Sequence, residues 1–142
     1  MSITGSGAHP DRKHMVAELP CSKKSFMRAR MKIKKFATEN GFADESEDIV
    51  LAVDEAMKNI MQHACPADGM MHITVETNSE TLAVDVMDTG AGFDIETLEK
   101  QPSEPLGMHG RGMQLIRGLM DDVSIVSDQE GTVVHMEKRR AT

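Results

Sequence analysis

Three short stretches of this 142-residue chain carry polar residues where chemistry could use them. The first is Glu55-Ala56-Met57-Lys58-Asn59-Ile60-Met61-Gln62-His63. Glu55, Asn59 and His63 lie four residues apart, so on a helix they form one row. At about 100° per residue that row borders an apolar stripe rather than open water, and side chains at such a border can point into a cleft. A carboxylate there can take a proton, and an amide oxygen can ligate Mg²⁺, a hard cation that prefers oxygen. Taken singly, the three also read as a solvated helix glutamate, a boundary asparagine and a structural histidine. The second stretch centres on Asp88. It continues the parity of Leu82, Val84 and Val86, so it projects from a strand face that is otherwise apolar, where a charge is costly unless paired. It can accept a hydrogen bond from a buried donor such as the exocyclic amine of adenine, or cap the Asp88-Thr89-Gly90 turn through its own backbone. The third group is glycines. Gly90 and Gly92 open backbone conformations closed to other residues or let a ligand approach the chain, and a tight turn also explains them. Gly110 and Gly112 stand at the start of a helix, whose free N–H groups and dipole attract phosphate, with Arg111 between them able to reach an anion. A Gly-x-Gly before a helix is weak evidence by itself. This one follows a loop rather than a parallel strand, and the lysine of a phosphate-binding loop is missing.

The elements that must position these residues are legible in the apolar spacing. Residues 1–13 read as a flexible tail, and Met15-Val16-Ala17-Glu18-Leu19-Pro20 as a first strand stopped by proline. Ser22 is a good N-cap for a helix running to Asn40 and ended by Gly41. Its apolar positions are Phe26, Met27, Met31 or Ala29, Ile33 and Phe36. Its other face is basic (Lys23, Lys24, Arg28, Arg30, Lys32, Lys34 and Lys35), either a solvated face or a docking surface for an acidic partner. A second helix should run from about Asp44 to Ala64, with Asp44, Glu45, Glu47 and Asp48 favoured in its first turn by the helix dipole. Ile49, Val53, Ala56, Met57, Ile60 and Ala64 make its apolar stripe. Met71, Ile73 and Val75 alternate with polar neighbours, as do Leu82, Val84 and Val86, which predicts an antiparallel hairpin across Asn78-Ser79-Glu80. A weak helical piece follows Asp88-Thr89-Gly90-Ala91-Gly92-Phe93, then a loop holding Pro102, Pro105 and Gly107. A further helix runs from Gly110-Arg111-Gly112 to about Met120. Strands at about Val123–Ser127 and Thr132–Glu137, joined at Gln129-Glu130-Gly131, complete the chain. The pattern predicts an α+β fold of mostly antiparallel strands with helices on one sheet face, with residues 14–142 as a single domain.

Composition narrows the function classes. Hydrophobic residues at 39% suffice for one core, which 13 methionines make aliphatic and adaptable. With aromatics at 3% and a net charge of −7, neither base stacking nor binding to a phosphate backbone is expected. Cys21 and Cys65 are too few for a metal site or a disulfide framework and read as reduced thiols of a cytoplasmic protein. No run of about 18 apolar residues predicts a membrane span, and the N-terminus lacks the apolar region of a signal peptide.

In this order and spacing the three stretches resemble the three ATP-binding boxes of the gyrase, histidine-kinase and MutL (GHKL) ATPase superfamily, over roughly Glu45 to Glu137. Glu55-x-x-x-Asn59-x-x-x-His63 is similar to the N box, and Asp88-x-Gly90-x-Gly92-Phe93 to the first glycine box. Gly110-Arg111-Gly112-Met113, continuing through Leu115-Ile116-Arg117-Gly118-Leu119-Met120-Asp121-Asp122-Val123, is similar to the second. That last run closely resembles the anti-sigma-factor serine/threonine kinases of bacterial partner switching. The resemblance implies the Bergerat fold, a two-layer sandwich with a mixed sheet, and two cofactors, ATP and Mg²⁺. It implies Glu55 as general base toward a serine or threonine hydroxyl, with a contact to the metal through water, and Asn59 as the Mg²⁺ ligand. Asp88 would read the adenine amine, with Gly90, Gly92 and Phe93 beside the base and His63 also at the nucleotide. The segment from about Thr97 to His109, with Gly107, would be a lid, and Gly110, Arg111, Gly112 and Met113 would meet the phosphates. The implied partners are a STAS-type anti-anti-sigma protein as substrate, a sigma factor and a second copy of the chain, with no nucleic acid and no membrane. Sensor histidine kinases, with their helical dimerisation domain, and gyrase or MutL types, with their transducer domain, are expected to fit less well. A competing reading is a binding module that sequesters a sigma factor or another regulator, with ATP only setting its conformation. A plain α+β interaction domain without nucleotide is the third. Glu55 favours the enzyme, since a nucleotide sensor needs no carboxylate there.

Overall fold

A computed structural model describes residues 13–63, 69–88, 111–128 and 131–141. Strand β1 (Lys13–Pro20) ends at its proline, and Ser22 opens helix α1 (Lys23–Glu39) by accepting a hydrogen bond from the Ser25 N–H at 3.4 Å. This supplies one of the partners that the first turn of a helix lacks. At the other end Asn40 donates its N–H to the carbonyls of Phe36 and Ala37, and Gly41 reverses the chain at φ 93°, a left-handed conformation that suits glycine. The buried face of α1 is Phe26, Ala29, Ile33 and Ala37. Met27, expected on that face, is 58% exposed, and of the alternatives Met31 and Ala29 the alanine is buried while Met31 is 69% exposed. At about 100° per residue the two methionines fall well round the helix from the buried row, Met31 nearly opposite it, although hydropathy alone prefers a methionine to the small alanines that the close helix contact accepts.

Helix α2 (Ser46–His63) carries the expected stripe: Ile49, Val53, Ala56, Met57 and Ile60 are fully buried. Each such large side chain stabilises the fold by about 1.5–3 kcal/mol. The helix begins later than its acidic run suggests, because Glu45 has other work: its Oε2 accepts the Ala141 N–H at 2.8 Å, and the carboxylate is buried. Ala64 lies outside the described residues.

Strands β2 (Met70–Thr77) and β3 (Thr81–Asp88) form the predicted hairpin, closed by Asn78 Oδ1 accepting from the N–H groups of Glu80 and Thr81. Helix α3 (Arg111–Leu119) precedes the hairpin of β4 (Asp122–Asp128) and β5 (Gly131–Arg139). The sheet order is β1-β2-β3-β5-β4, and all four pairings are antiparallel. The expected mixed sheet thus narrows to an antiparallel one among the described strands: reversal in the last hairpin lays β5 against β3 in the opposite sense. Leu19, Met71, Ile73, Val75, Leu82, Val84, Val86, Val134 and Met136 share the buried face, which α1 covers at β1 and α2 at β3 and β5.

Lys138, near the end of β5, fixes how the helices lie. Its Nζ donates to Asp48 Oδ2 at 3.2 Å, in the first turn of α2, and to the Leu119 carbonyl at 2.5 Å, at the end of α3. The start of α2 therefore meets the end of α3, and the two helices pack antiparallel. One reading of the cysteines is corrected: Cys21 is disulfide-bonded rather than a reduced thiol. Cys65, the only other cysteine of the chain, lies outside the described residues. Pairing depends on chain ends that the fold brings together, which two isolated cysteines do not disclose.

Candidate functional site

Glu55 and Asn59 each sit one position before a residue of the α2 stripe, Ala56 and Ile60, so the same turn that buries the stripe sets them on its shoulder. That shoulder faces α3. A Cβ placed on Gly112 would lie 2.7 Å from Asn59 Nδ2, 3.3 Å from Asn59 Oδ1 and 3.3 Å from Glu55 Oε2. Two of the three predicted stretches thus meet in space: the start of α3 lies against the acid and the amide of α2. Glycine is required here by the close approach, not by its backbone angle.

Asn59 is only 5% exposed, and its Nδ2 has no hydrogen-bond partner among the described residues. A buried donor left unsatisfied costs about 1–3 kcal/mol, which makes Asn59 a poor structural choice and a fitting one for a polar ligand. Glu55 is more open, its side chain 27% exposed. Lys58 lies 4.0 Å from Glu55 Oε1 but 3.0 Å from Asp54 Oδ2, and hydrogen bonding to Asp54 raises the lysine pKa. The lysine is therefore committed to Asp54, which also accepts from Arg30 Nη1 of α1 at 2.7 Å, and Glu55 keeps its carboxylate for other work. The Arg30–Asp54–Lys58 group escaped the sequence reading, since an aspartate in an acidic helix looks solvated. Its signal is its spacing from Lys58, four residues on.

Asp88 ends β3 on the inward parity and is 3% exposed. Across the ladder from it stands Thr132 of β5, fully buried, whose Oγ1 lies 2.8 Å from Ser127 Oγ. Thr132 was not expected at a site. Its signal was the one that found Asp88, a polar residue on apolar parity at a strand end, here continuing Val134 and Met136. Met113 is buried in the core, so what it offers a phosphate is its backbone N–H in the first turn of α3. Gly90, Gly92, Phe93, Gly107, Gly110 and the lid segment lie outside the described residues, as do the side chains of His63 and Arg111. Among the described residues no three His, Cys, Asp or Glu side chains gather to hold a metal. The oxygens of Asn59 and Glu55 suit Mg²⁺, which is typically held by one or two protein groups together with substrate phosphates.

Comparison with known proteins gives this geometry its context. The family model of the histidine kinase-like ATPase domain matches residues 19–138. The serine-protein kinase RsbW of Bacillus cereus is 37% identical over 119 residues, covering 77% of this chain and 74% of the relative. The serine-protein kinase RsbW of Bacillus mycoides matches at the same identity and coverage. Among solved structures, that of the RsbU and RsbW domains of a Mycobacterium tuberculosis protein superposes with a TM-score of 0.67 at 17% identity, over 89% of this chain and 32% of that one. The histidine kinase domain of a blue-light activated kinase from Erythrobacter litoralis gives 0.56 at 21%, over 81% and 59%. At such identities these structures show the fold alone, and the chain spans about a third of the first and three fifths of the second. The match over most of the chain leads to one assignment: the chain belongs to the histidine kinase-like ATPase family.

Proposed function

We propose that this chain is a protein serine/threonine kinase that acts as an anti-sigma factor in bacterial partner switching. It transfers the γ-phosphoryl group of ATP to a serine or threonine of a STAS-type anti-anti-sigma protein. The observation that carries the reading is the meeting of Gly112 with Asn59 and Glu55. The first turn of a helix, where backbone N–H groups and the dipole favour anions, lies against a carboxylate and an unsatisfied amide, the set that phosphoryl transfer asks for: anion binding, a hard metal ligand and a base.

Glu55 takes the proton of the attacking hydroxyl, whose oxygen bonds to the γ-phosphorus as the bond to ADP breaks. Asn59 would hold Mg²⁺, which when bound neutralises charge on the phosphates. The first-turn amides of α3 bind the phosphates. Asp88, opposite Thr132 on the β3–β5 ladder, accepts from the adenine amine. A single cleft is supported by the Lys138 clamp. Thr132 lies roughly 20 Å back along β5 from Lys138, and Asn59 roughly 17 Å along α2 from Asp48. The strand ends and the Asn59 turn therefore fall at the same end of the domain. No helix among the described residues is long and apolar enough to cross a membrane, and under this reading the protein works in the cytoplasm. Its partners there are its substrate, a sigma factor and a second copy of the chain.

The test is transfer of label from ATP to a STAS-type protein. The wild-type chain labels it. Glu55→Gln lowers the rate roughly 10²- to 10⁴-fold while Mg-ATP still raises the melting temperature, and Asp88→Asn loses that ATP-dependent rise. Transfer at the normal rate by Glu55→Gln refutes the base assignment. Absence of any ATP-dependent melting shift in the wild-type chain refutes the whole reading.

A further inference from the structure

We propose that Asp54 is a positioning residue for phosphoryl transfer: by holding Lys58 it keeps that ammonium off Glu55 and leaves the glutamate carboxylate to the incoming hydroxyl. This role rests on the kinase reading and deepens it, adding a residue that acts through its neighbours rather than at the reacting atoms.

Two carboxylates of α2 compete for one ammonium. Lys58 stands four residues after Asp54 and three after Glu55, both spacings at which side chains meet on a helix. Its Nζ lies 3.0 Å from Asp54 Oδ2 and 4.0 Å from Glu55 Oε1. Charge-assisted hydrogen bonds close at about 2.7–2.9 Å, so a shift of roughly 1 Å carries the ammonium from the first acid to the second. Asp54 holds it because α1 holds Asp54. Arg30 Nη1 donates to Asp54 Oδ1 at 2.7 Å, which leaves Oδ2 aimed along the helix at Lys58. The aspartate side chain is 11% exposed and that of Glu55 27%. An acid already fixed by Arg30 has little rotamer freedom left to lose when it takes the lysine, and a more open glutamate has more.

The two oxygens of Glu55 face different neighbours. Oε1 is the one near Lys58, and Oε2 is the one 3.3 Å from where a Cβ on Gly112 would stand. An ammonium bound at Oε1 draws the carboxylate toward Lys58 and off the α3 side, where the phosphates are held. In the transfer step the hydroxyl proton passes to Glu55, the hydroxyl oxygen bonds to the γ-phosphorus, and the bond from that phosphorus to ADP breaks. A lysine on Glu55 engages the group that must receive the proton and turns it from where the hydroxyl arrives. Arg30, by contrast, ties α1 to Asp54 and has no path of its own to Glu55: without it, Asp54 still meets Lys58 at the same helical spacing.

The test is label transfer from Mg-ATP to a saturating STAS-type protein, with full-length variants compared at one pH. Asp54→Asn keeps the side-chain size and an oxygen for Arg30 but no charge to hold the lysine. It lowers kcat roughly 2- to 5-fold, the worth of a partly exposed ion pair, and leaves the KM for Mg-ATP unchanged. Adding Lys58→Met to Asp54→Asn restores kcat, and Lys58→Met alone leaves it at the wild-type value. Arg30→Met lowers the melting temperature and spares kcat, which separates loss of helix packing from loss of positioning. A second readout needs no catalysis: the carbon-13 shift of the Glu55 carboxyl responds to Lys58→Met in the Asp54→Asn background and not in the wild-type one. The proposal is overturned if the double variant stays as slow as Asp54→Asn, if Lys58→Met alone slows transfer, or if the carboxyl shift responds alike in both backgrounds. A wild-type chain that transfers no label overturns the kinase reading and the role of Asp54 with it, and the carboxyl shifts tell that failure from one in which Lys58 never turns to Glu55.

Discussion

Gly112→Ala adds one methyl group where α2 and α3 meet, and its two consequences separate stability from binding. The added Cβ would stand 2.7 Å from Asn59 Nδ2 and 3.3 Å from Glu55 Oε2. Atoms of this kind rest at about 3.5 Å or more, so the amide must retreat by most of an ångström. It can do so without breaking a hydrogen bond, because Nδ2 makes none. Overpacking of this kind costs about 1–3 kcal/mol, and alanine in place of glycine in a helix returns up to about 1 kcal/mol. The net loss is about 2–3 kcal/mol at most, a melting shift of roughly ten degrees at the largest.

Binding responds more sharply. Displacing Asn59 from the phosphates and their Mg²⁺ removes a charge-assisted contact worth about 1.5–3 kcal/mol, roughly a 10- to 150-fold rise in Kd. Calorimetric titration with Mg-ATP measures it. Gly118→Ala is the control: its Cβ would meet nothing within 4 Å, so it gains about 0.5–1 kcal/mol of stability and leaves Kd alone. In an Asn59→Ala background the clashing partner is gone, and Gly112→Ala should turn from costly to neutral or stabilising. Wild-type Mg-ATP affinity in Gly112→Ala, with the protein folded, would show that Asn59 is not where the nucleotide binds.

Asp54→Ala strands Arg30 and Lys58, but both are partly exposed, so the cost by urea denaturation is about 1–2 kcal/mol rather than that of a fully buried pair. His135 lies 2.6 Å from Asp85 and 2.8 Å from Glu137; burial works against its charge, yet hydrogen bonds to Glu137 and Asp85 outweigh it and raise its pKa. A raised pKa stabilises the fold in full below the ordinary histidine value, and that contribution fades as pH rises through the folded value. The stability gap between wild type and His135→Gln, under about 1 kcal/mol at this exposure, should therefore shrink from pH 5.5 to pH 8.5 (~3 pH units), and a gap that widens over the range contradicts the pairing. Ile60→Ala and Ile49→Ala both delete a fully buried side chain of α2 and should each cost about 2–5 kcal/mol. Only the first, beside Asn59, should also weaken Mg-ATP binding at a temperature where both variants are folded.

Much of this arrangement was legible before any coordinates. Strand parity placed Asp88 on the buried face because a period of two leaves no freedom once Leu82, Val84 and Val86 are set inward. The helical period likewise put Glu55 and Asn59 on one shoulder. What stayed hidden depends on contacts between elements. Nothing local says that α1 turns its alanines rather than its methionines inward, because that choice is made by how closely a neighbouring helix approaches. Thr132 pairs with Asp88 only through the β3–β5 register, and Cys21 finds its partner only when the chain has folded. Asp54 looks like one more surface acid until Arg30 arrives from α1.

The site and the core share one helix, and that sharing bears on how the site holds its shape. Glu55 and Asn59 are spaced four apart, as are Ala56 and Ile60, each pair lying one position from the other. Turning α2 enough to move the polar pair out of reach of α3 would carry Ile60, Met57 and Val53 out of the core, at about 1.5–3 kcal/mol for each large side chain exposed. Sliding it along its axis would break the Lys138 clamp, which holds α2 and α3 to the same strand. An unsatisfied amide at Asn59 costs about 1–3 kcal/mol, too little to pull the helix round against three such side chains. The polar residues are therefore held toward α3 by apolar neighbours that touch no ligand, which is how a binding geometry stays preorganised on a rigid element.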